Sequence, residues 1–110
     1  MQKESLTALV RHHLETASTA SSGRSAHTIY GGHEHLLRQT LIALRAGSSL
    51  AEHENPGEAT VQVLHGRVTL VVGDTKWNGS PGDLIIIPDS RHSLEAVADS
   101  AVLLTVALRV

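Results

Sequence analysis

The chain has 110 residues, of which 41% are hydrophobic, and a formal net charge of −2 with its histidines counted as neutral. This length fits one domain with a single core, and this hydrophobic content excludes a disordered protein. The chain has no cysteine, so disulfides and thiol chemistry are excluded and a metal would need His, carboxylate or amide ligands. The charge gives no electrostatic case for nucleic acid, and Tyr30 and Trp77 are too few aromatic residues for a base-stacking surface.

The sequence contains no sign of a membrane partner. No apolar run approaches the roughly 20 residues that a membrane span needs. The first residues, MQKESLTALVRHHLE, are interrupted by charges and lack the apolar region of a signal peptide. We therefore expect a cytoplasmic protein. Its eight histidines are many for this length and can titrate near neutrality, but composition does not say what they do.

Residues 4–17 are predicted to form a one-sided helix. Their apolar residues recur at helical spacing, and Ser5 can serve as the N-cap. The stripe on one face comprises Leu6, Leu9, Val10, His13, Leu14 and Ala17. A helix of this length is not stable alone, so the stripe must pack on the rest of the domain or on a partner chain. The small polar residues 18–25 are predicted to be a linker.

From residue 26 onward the sequence predicts β-strands. They are expected at 26–30, 36–44, 60–64, 67–72, 84–87, 90–97 and 101–110. Strand 36–44 is apolar on both faces, which is expected if one face lines the core and the other meets a neighbour. The continuous apolar run 84–87 favours a strand covered on both faces, and Trp77 is placed in a polar turn. Short strands after one helix predict an all-β sandwich or barrel, with residues 1–25 as helix and linker and 26–110 as the β domain.

Two stretches have the residues from which a binding site can be built. The first, GSSLAEHENPGEATVQVLHG from Gly47 to Gly66, predicts two strands joined by the turn at 55–57, with His53 just before it. The second, GDLIIIPDSRH from Gly82 to His92, predicts a short strand that Pro88 ends, because proline cannot donate to a central ladder.

These stretches resemble the two sequence motifs of the cupin family. The first motif is a Gly, a His-x-His pair, a Glu and a closing Gly; here Asn55 replaces the second His and Ala59 replaces the Glu. The second is a Gly, five residues, a Pro and then a His; here Ser90 replaces a Gly and His92 comes one residue early. The chain is most similar to small single-domain cupins of the conserved-barrel, RmlC-like kind. The resemblance implies an all-β double-stranded β-helix, a jelly roll, with one N-terminal α-helix.

The resemblance also implies where a ligand would bind. In a typical cupin, ligands from both motifs converge on a metal inside the barrel, and here His53 and His92 occupy two of those positions. We expect a pocket at the barrel mouth lined by His53, Asn55, Glu58 and His92. A bulge would be needed to turn Glu58 inward, because adjacent strand residues face opposite ways.

A divalent transition metal (Zn, Ni, Fe, Cu or Mn) on His53 and His92 is the second possibility. Two imidazoles suit such ions, but a stable site has three or four protein ligands. The remaining histidines, His33 and His35 in a Gly-rich loop, His12 and His13 on the helix, and His65 beside a turn, are assigned no chemistry.

Two functions from different classes therefore remain open. The first is a non-enzymatic module that binds or senses a small, mostly apolar molecule in the barrel, with the histidines and Asn55 orienting its polar end. The second is a metal-dependent enzyme of the oxygenase or isomerase type. A barrel without any ligand is a third. No nucleophile motif or phosphate loop is present. A homodimer is expected from the family resemblance and from the apolar edge strands.

Overall fold

A computed structural model describes residues 2–53 and 57–108, with only the backbone of Glu52 and His53. Within these ranges the chain forms one helix, α1 (Leu6–Thr19), followed by nine strands. The strands are β1 (Arg24–Tyr30), β2 (Leu37–Leu44), β3 (Ser49–His53), β4 (Gly57–His65), β5 (Val68–Val72), β6 (Thr75–Gly79), β7 (Leu84–Ile87), β8 (His92–Ala96) and β9 (Ser100–Leu108). The predicted class, all-β with one N-terminal helix, is confirmed.

The strands form two antiparallel sheets that pack face to face as a jelly roll. The first sheet has the order β1-β2-β9-β4-β7, and the second has the order β3-β8-β5-β6. Strands that are distant in sequence lie side by side, as when β9 pairs with both β2 and β4. This arrangement confirms the predicted double-stranded β-helix.

The core lies between the two sheets and is built from alternate residues of each strand. On β4, for example, Ala59, Val61 and Val63 are buried while Glu58 and Gln62 are exposed. The inward set consists of Val, Leu, Ile and Ala, as composition required. Each fully buried side chain of the larger kind stabilises the fold by about 1.5–3 kcal/mol relative to exposure.

A second buried layer lies on the outer face of the first sheet, under α1. The helix packs against β1, β2 and β9. Its predicted stripe faces the sheet: all six stripe residues are buried or half-buried, and the remaining residues of the helix are exposed. The floor of this layer is formed by Leu41, Ala43, Ala101 and Leu103, which pair across β2 and β9 and are all buried. The neighbour that the two-faced strand 36–44 required is therefore α1.

Two local predictions were wrong. β7 is an edge strand that pairs with β4, and its outward residues Leu84 and Ile86 are 61% and 72% exposed, so it is not covered on both faces. Trp77 lies on strand β6 and not in a turn, because the segment pairs with β5 and places Trp77 opposite Leu70. In both cases the structure of the segment depends on which strand it pairs with, and local composition does not reveal that partner.

The β4–β5 and β8–β9 connections are tied together by one buried hydroxyl. Ser100 is fully buried, and its Oγ accepts a hydrogen bond from the Arg67 backbone N–H at 3.0 Å. The same hydroxyl donates to the carbonyl of Ala98 at 2.7 Å or of Arg67 at 3.0 Å. Gly66, beside Arg67, has a φ of +83° and passes so close to Asp99 that a side chain has no room.

In the described part of the chain, α1 is too short and too polar to cross a membrane.

Candidate functional site

His92 is the polar side chain at the centre of the candidate site. It begins β8 and is only 3% exposed. Its surroundings are aliphatic, since it lines a small internal cavity with side chains from both sheets. The other lining residues are Ile42, Leu50, Val61, Leu70, Ile87, Leu94, Val102 and Leu104. An imidazole in such surroundings needs hydrogen-bond partners, because burying a polar group without them is costly.

The backbone just before β8 fixes the orientation of the His92 ring. Nδ1 lies 2.9 Å from the carbonyl oxygen of Ser90. A carbonyl oxygen only accepts, so Nδ1 carries a proton and donates it. In the neutral ring the lone pair is then on Nε2, the nitrogen that would meet a ligand's donor or a metal ion.

The structure brings His53 and His92 to facing positions of the backbone. His53 is the last residue of β3, and it pairs with His92, the first residue of β8. The register shifts by one residue between Leu50 and His53; without this shift Glu52 would stand opposite His92. The irregularity in β3 therefore places His53 of the first motif, and not its neighbour in sequence, opposite His92 of the second motif.

Glu58 does not join this group. It is exposed and lies on the outer face of β4, whereas its neighbour Ala59 faces the core. The pairing of β4 with β9 is regular from Gly57 to Val63, so there is no bulge that turns Glu58 inward. The prediction that Glu58 lines the pocket with His92 is wrong for this reason. Asn55, the fourth predicted pocket residue, lies outside the described residues.

The described residues do not fit a metal ion. Among them no group of three or more His, Cys, Asp or Glu side chains is placed to hold one. His92 supplies one suitable nitrogen, while a structural or catalytic site has three or four protein ligands. A metal bound at His92 would therefore have to draw on residues 52–56, and we derive no chemistry through one.

The internal cavity beside His92 is small. Its volume is about 20 Å³, roughly what one water molecule needs. A drug-sized ligand typically occupies a pocket of about 300–1,000 Å³. The aliphatic side chains therefore fill the described interior, which has no room for a larger ligand.

The other histidines are distributed as follows. His33 and His35 lie in the exposed loop between β1 and β2, where the His35 ring makes an edge contact with Tyr30 at 4.8 Å. His65 is exposed at the end of β4. His13 is half-buried under α1 and contacts two further imidazoles, an arrangement that sequence reasoning missed. Only its place in the apolar stripe of α1 could have indicated it.

Comparison with known families identifies the class to which this chain belongs. The model of the cupin domain matches residues 40–107, which run from β2 to β9 and include both motifs. The match spans more than half of the chain, so the protein belongs to the cupin family. No curated protein matches the sequence.

Solved structures with the same fold include proteins with and without a known activity. A conserved protein of unknown function from Streptococcus pyogenes is 24% identical, with a TM-score of 0.74 over 83% of this chain and 79% of that one. An RmlC-like cupin from Desulfovibrio desulfuricans is 25% identical, with a TM-score of 0.68 over 76% and 81%. Salicylate 1,2-dioxygenase from Pseudoaminobacter salicylatoxidans is 20% identical, with a TM-score of 0.74 over 91% of this chain and 32% of that enzyme.

Proposed function

We propose that this cupin is a non-enzymatic module that binds or senses a small molecule at the mouth of its barrel, beside His53 and His92. The observation that carries the proposal is the buried His92, whose ring is held in one orientation among aliphatic side chains. A fixed polar group in an apolar pocket is the usual design of a small-molecule site, since the apolar walls supply affinity and the polar group supplies orientation.

The size of the interior limits the ligand. A cavity of about 20 Å³ does not admit a carbon skeleton beyond a methyl-sized group unless side chains move. The ligand therefore places a donor at its polar end, such as a hydroxyl, against the Nε2 lone pair of His92 and keeps most of its body at the mouth. Small alcohols with a short aliphatic body fit this description best.

The proposal is tested by thermal unfolding with a panel of small aliphatic carboxylates and alcohols. A ligand that binds only the folded state raises the melting temperature, and about 100 times its Kd adds roughly 2.7 kcal/mol to the unfolding free energy. We expect a hit with the wild type and its loss in His92→Gln. The matched control is His65→Gln, at an exposed histidine outside the site, which should keep the response. No stabilisation across the panel, or equal stabilisation of His92→Gln, would contradict the proposal.

A metal-dependent enzyme is the second candidate, favoured by the pairing of His53 with His92. Salicylate 1,2-dioxygenase has the same fold, although it is only 20% identical. Elemental analysis of untagged protein separates the two candidates. Near-stoichiometric Zn, Ni, Fe, Cu or Mn that is lost in His92→Ala would support the metal site. A metal-free protein that still binds a small alcohol supports the non-enzymatic module.

We also propose that the protein is a homodimer that pairs through the edge strand β7. Its sequence, Leu-Ile-Ile-Ile, has no charge that would keep another strand away. Antiparallel pairing of two copies centred on Ile85 would set Leu84 opposite Ile86 of the second copy, so that apolar side chains meet on the outer face. This pairing would cover two of the most exposed apolar residues of the described chain.

A further inference from the structure

The inner face of α1 carries one polar side chain, His13, and it lies over strand β1. His13 belongs to the stripe that faces the sheet and is half-buried. Its Nδ1 lies 2.6 Å from the hydroxyl oxygen of Ser25, which is a short hydrogen bond between the helix and the strand. This bond fixes where the middle of α1 sits on the jelly roll.

Two further imidazoles contact His13. The rings of His13 and His27 are stacked, with centroids 5.6 Å apart and planes inclined by 21°. The rings of His12 and His13 meet edge to face at 4.9 Å. Three imidazoles are thus held together at the seam between α1 and β1.

The described surroundings offer these imidazoles no compensating negative charge at the seam. The strands under α1 present uncharged residues, namely Leu41 and Ala43 from β2 and Ala101 and Leu103 from β9. On β1 the group that faces His13 is His27, and Arg24 at the start of that strand is exposed and cationic. On α1, Arg11, His12 and Glu15 are exposed, as is His27 on β1, so solvent partly screens all four; His13 alone of the cluster is half-buried. Arg45 is bonded to the carbonyls of Ser18 and Ala20 at the helix end and does not contribute to the lowered pKa of His13.

The electrostatic consequence is visible at His13. Burial lowers the pKa of the His13 imidazole below its ordinary value of 6.5, and the neighbouring His12 and His27 lower it further. His13 therefore prefers to be neutral when α1 is docked. Once the helix detaches, the ring is solvated and its pKa returns to the ordinary value.

We propose that His12, His13 and His27 form a pH-sensitive latch that keeps α1 firmly docked at neutral pH and loosens its docking under mildly acidic conditions. Protonation places like charges on stacked rings, and the docked state opposes this. A group with a lowered docked pKa costs docking free energy as pH falls through its undocked pKa, near 6.5, toward the docked value. Docking is unaffected above this window and is weakest below it.

Release would uncover a defined surface. The floor beneath α1 does not belong to the core between the two sheets, and α1 covers it from outside. It is formed by Leu41, Ala43, Ala101 and Leu103. The jelly roll can therefore remain folded while α1 detaches. Residues 20–23 join α1 to β1, so a detached helix stays tethered to the jelly roll.

Amide hydrogen exchange tests this latch on the full chain, at about pH 7.5 and about pH 5.5 with intrinsic rates corrected. We expect exchange of α1 amides to accelerate on the order of tenfold relative to β4 and β9 amides at the lower pH. In His27→Gln the acceleration should be smaller, and in the double variant His13→Gln/His27→Gln it should be lost. His65→Gln, at an exposed histidine outside the cluster, should behave as the wild type.

Two results would overturn the proposal. One is an α1 whose corrected exchange does not change with pH in the wild type. The other is an equal acceleration in the wild type and the double variant. Because the double variant could weaken docking at every pH, Arg45→Gln provides the comparison: it removes hydrogen bonds to the end of α1 without changing the imidazoles. It should raise exchange at both pH values and keep the wild-type ratio between them.

Discussion

The hydroxyl of Ser100 accepts a hydrogen bond from the backbone N–H of Arg67 at 3.0 Å, although 33 positions separate the two residues. The bond joins the β4–β5 connection to the start of β9. Since Ser100 is fully buried, no solvent is at hand to replace the bond. One short side chain therefore holds two connections at the same end of the jelly roll.

Ser100→Ala should lower the unfolding free energy by about 1–3 kcal/mol, because the Arg67 N–H loses its acceptor in a buried place. Urea denaturation at neutral pH measures the loss. The control is Ser21→Ala at an exposed turn position, which should change stability by less than about 0.5 kcal/mol. If the Ser100→Ala variant were as stable as the wild type, the hydrogen bond between Arg67 and Ser100 would not contribute to stability.

Gly66→Ala should be among the more damaging single substitutions. The residue has a φ of +83°, and an added Cβ would overlap the carbonyl oxygen of Asp99. Gly73→Ala is the matched control, since its φ of +57° is also left-handed but nothing lies within 4 Å of a Cβ there. We expect about 1–2 kcal/mol for Gly73→Ala from backbone strain alone, and a larger loss for Gly66→Ala. Equal melting temperatures would exclude a role for the close approach to Asp99.

Arg45 caps the end of α1. Its Nη1 donates to the carbonyl oxygens of Ser18 and Ala20, each at 3.1 Å. Because carbonyls at a helix end lack partners within the helix, Arg45→Gln should destabilise the docked helix by about 1 kcal/mol. Helical ellipticity and proteolysis between residues 19 and 24 measure this change. Arg24→Gln, at an exposed arginine of β1, should leave both unchanged.

Ile86→Lys tests the dimer. Ile86 is 72% exposed on the edge strand β7, so a lysine there should not disturb the core. The lysine would place a charge between the paired β7 strands of two copies, so we expect sedimentation to show a monomer. The unfolding free energy of this monomer should lie within about 0.5 kcal/mol of that of the dissociated wild type. Thr28→Lys, exposed on the other edge strand β1, should remain dimeric. A wild type that is monomeric at high concentration would contradict the proposal.

The fold was predictable because the signals were periodic. The apolar stripe of α1 and the alternation of β4 specify a face for every residue, and the structure confirms both. The sequence also placed His53 just before a turn, and it is the last residue of β3, where it pairs with His92.

What could not be predicted depended on contacts between distant strands. The polar β6 becomes a strand through pairing with β5, and β7 becomes an edge through the order of the sheet. Glu58 could face the pocket only through a bulge, but the regular pairing of β4 leaves it outside. The irregularity instead occurs in β3, where no residue type indicated it.

The buried layer beneath α1 bears on how much of the chain makes a self-sufficient unit. The family match begins at residue 40, yet Leu41 and Leu103 are shielded by a helix upstream of it. If α1 were removed, each leucine would lose about 1.5–3 kcal/mol of the free energy that its burial contributes to folding. A barrel that is shortened to the family boundaries would thus expose an apolar surface to water. Helix α1 is therefore needed to complete the folded domain.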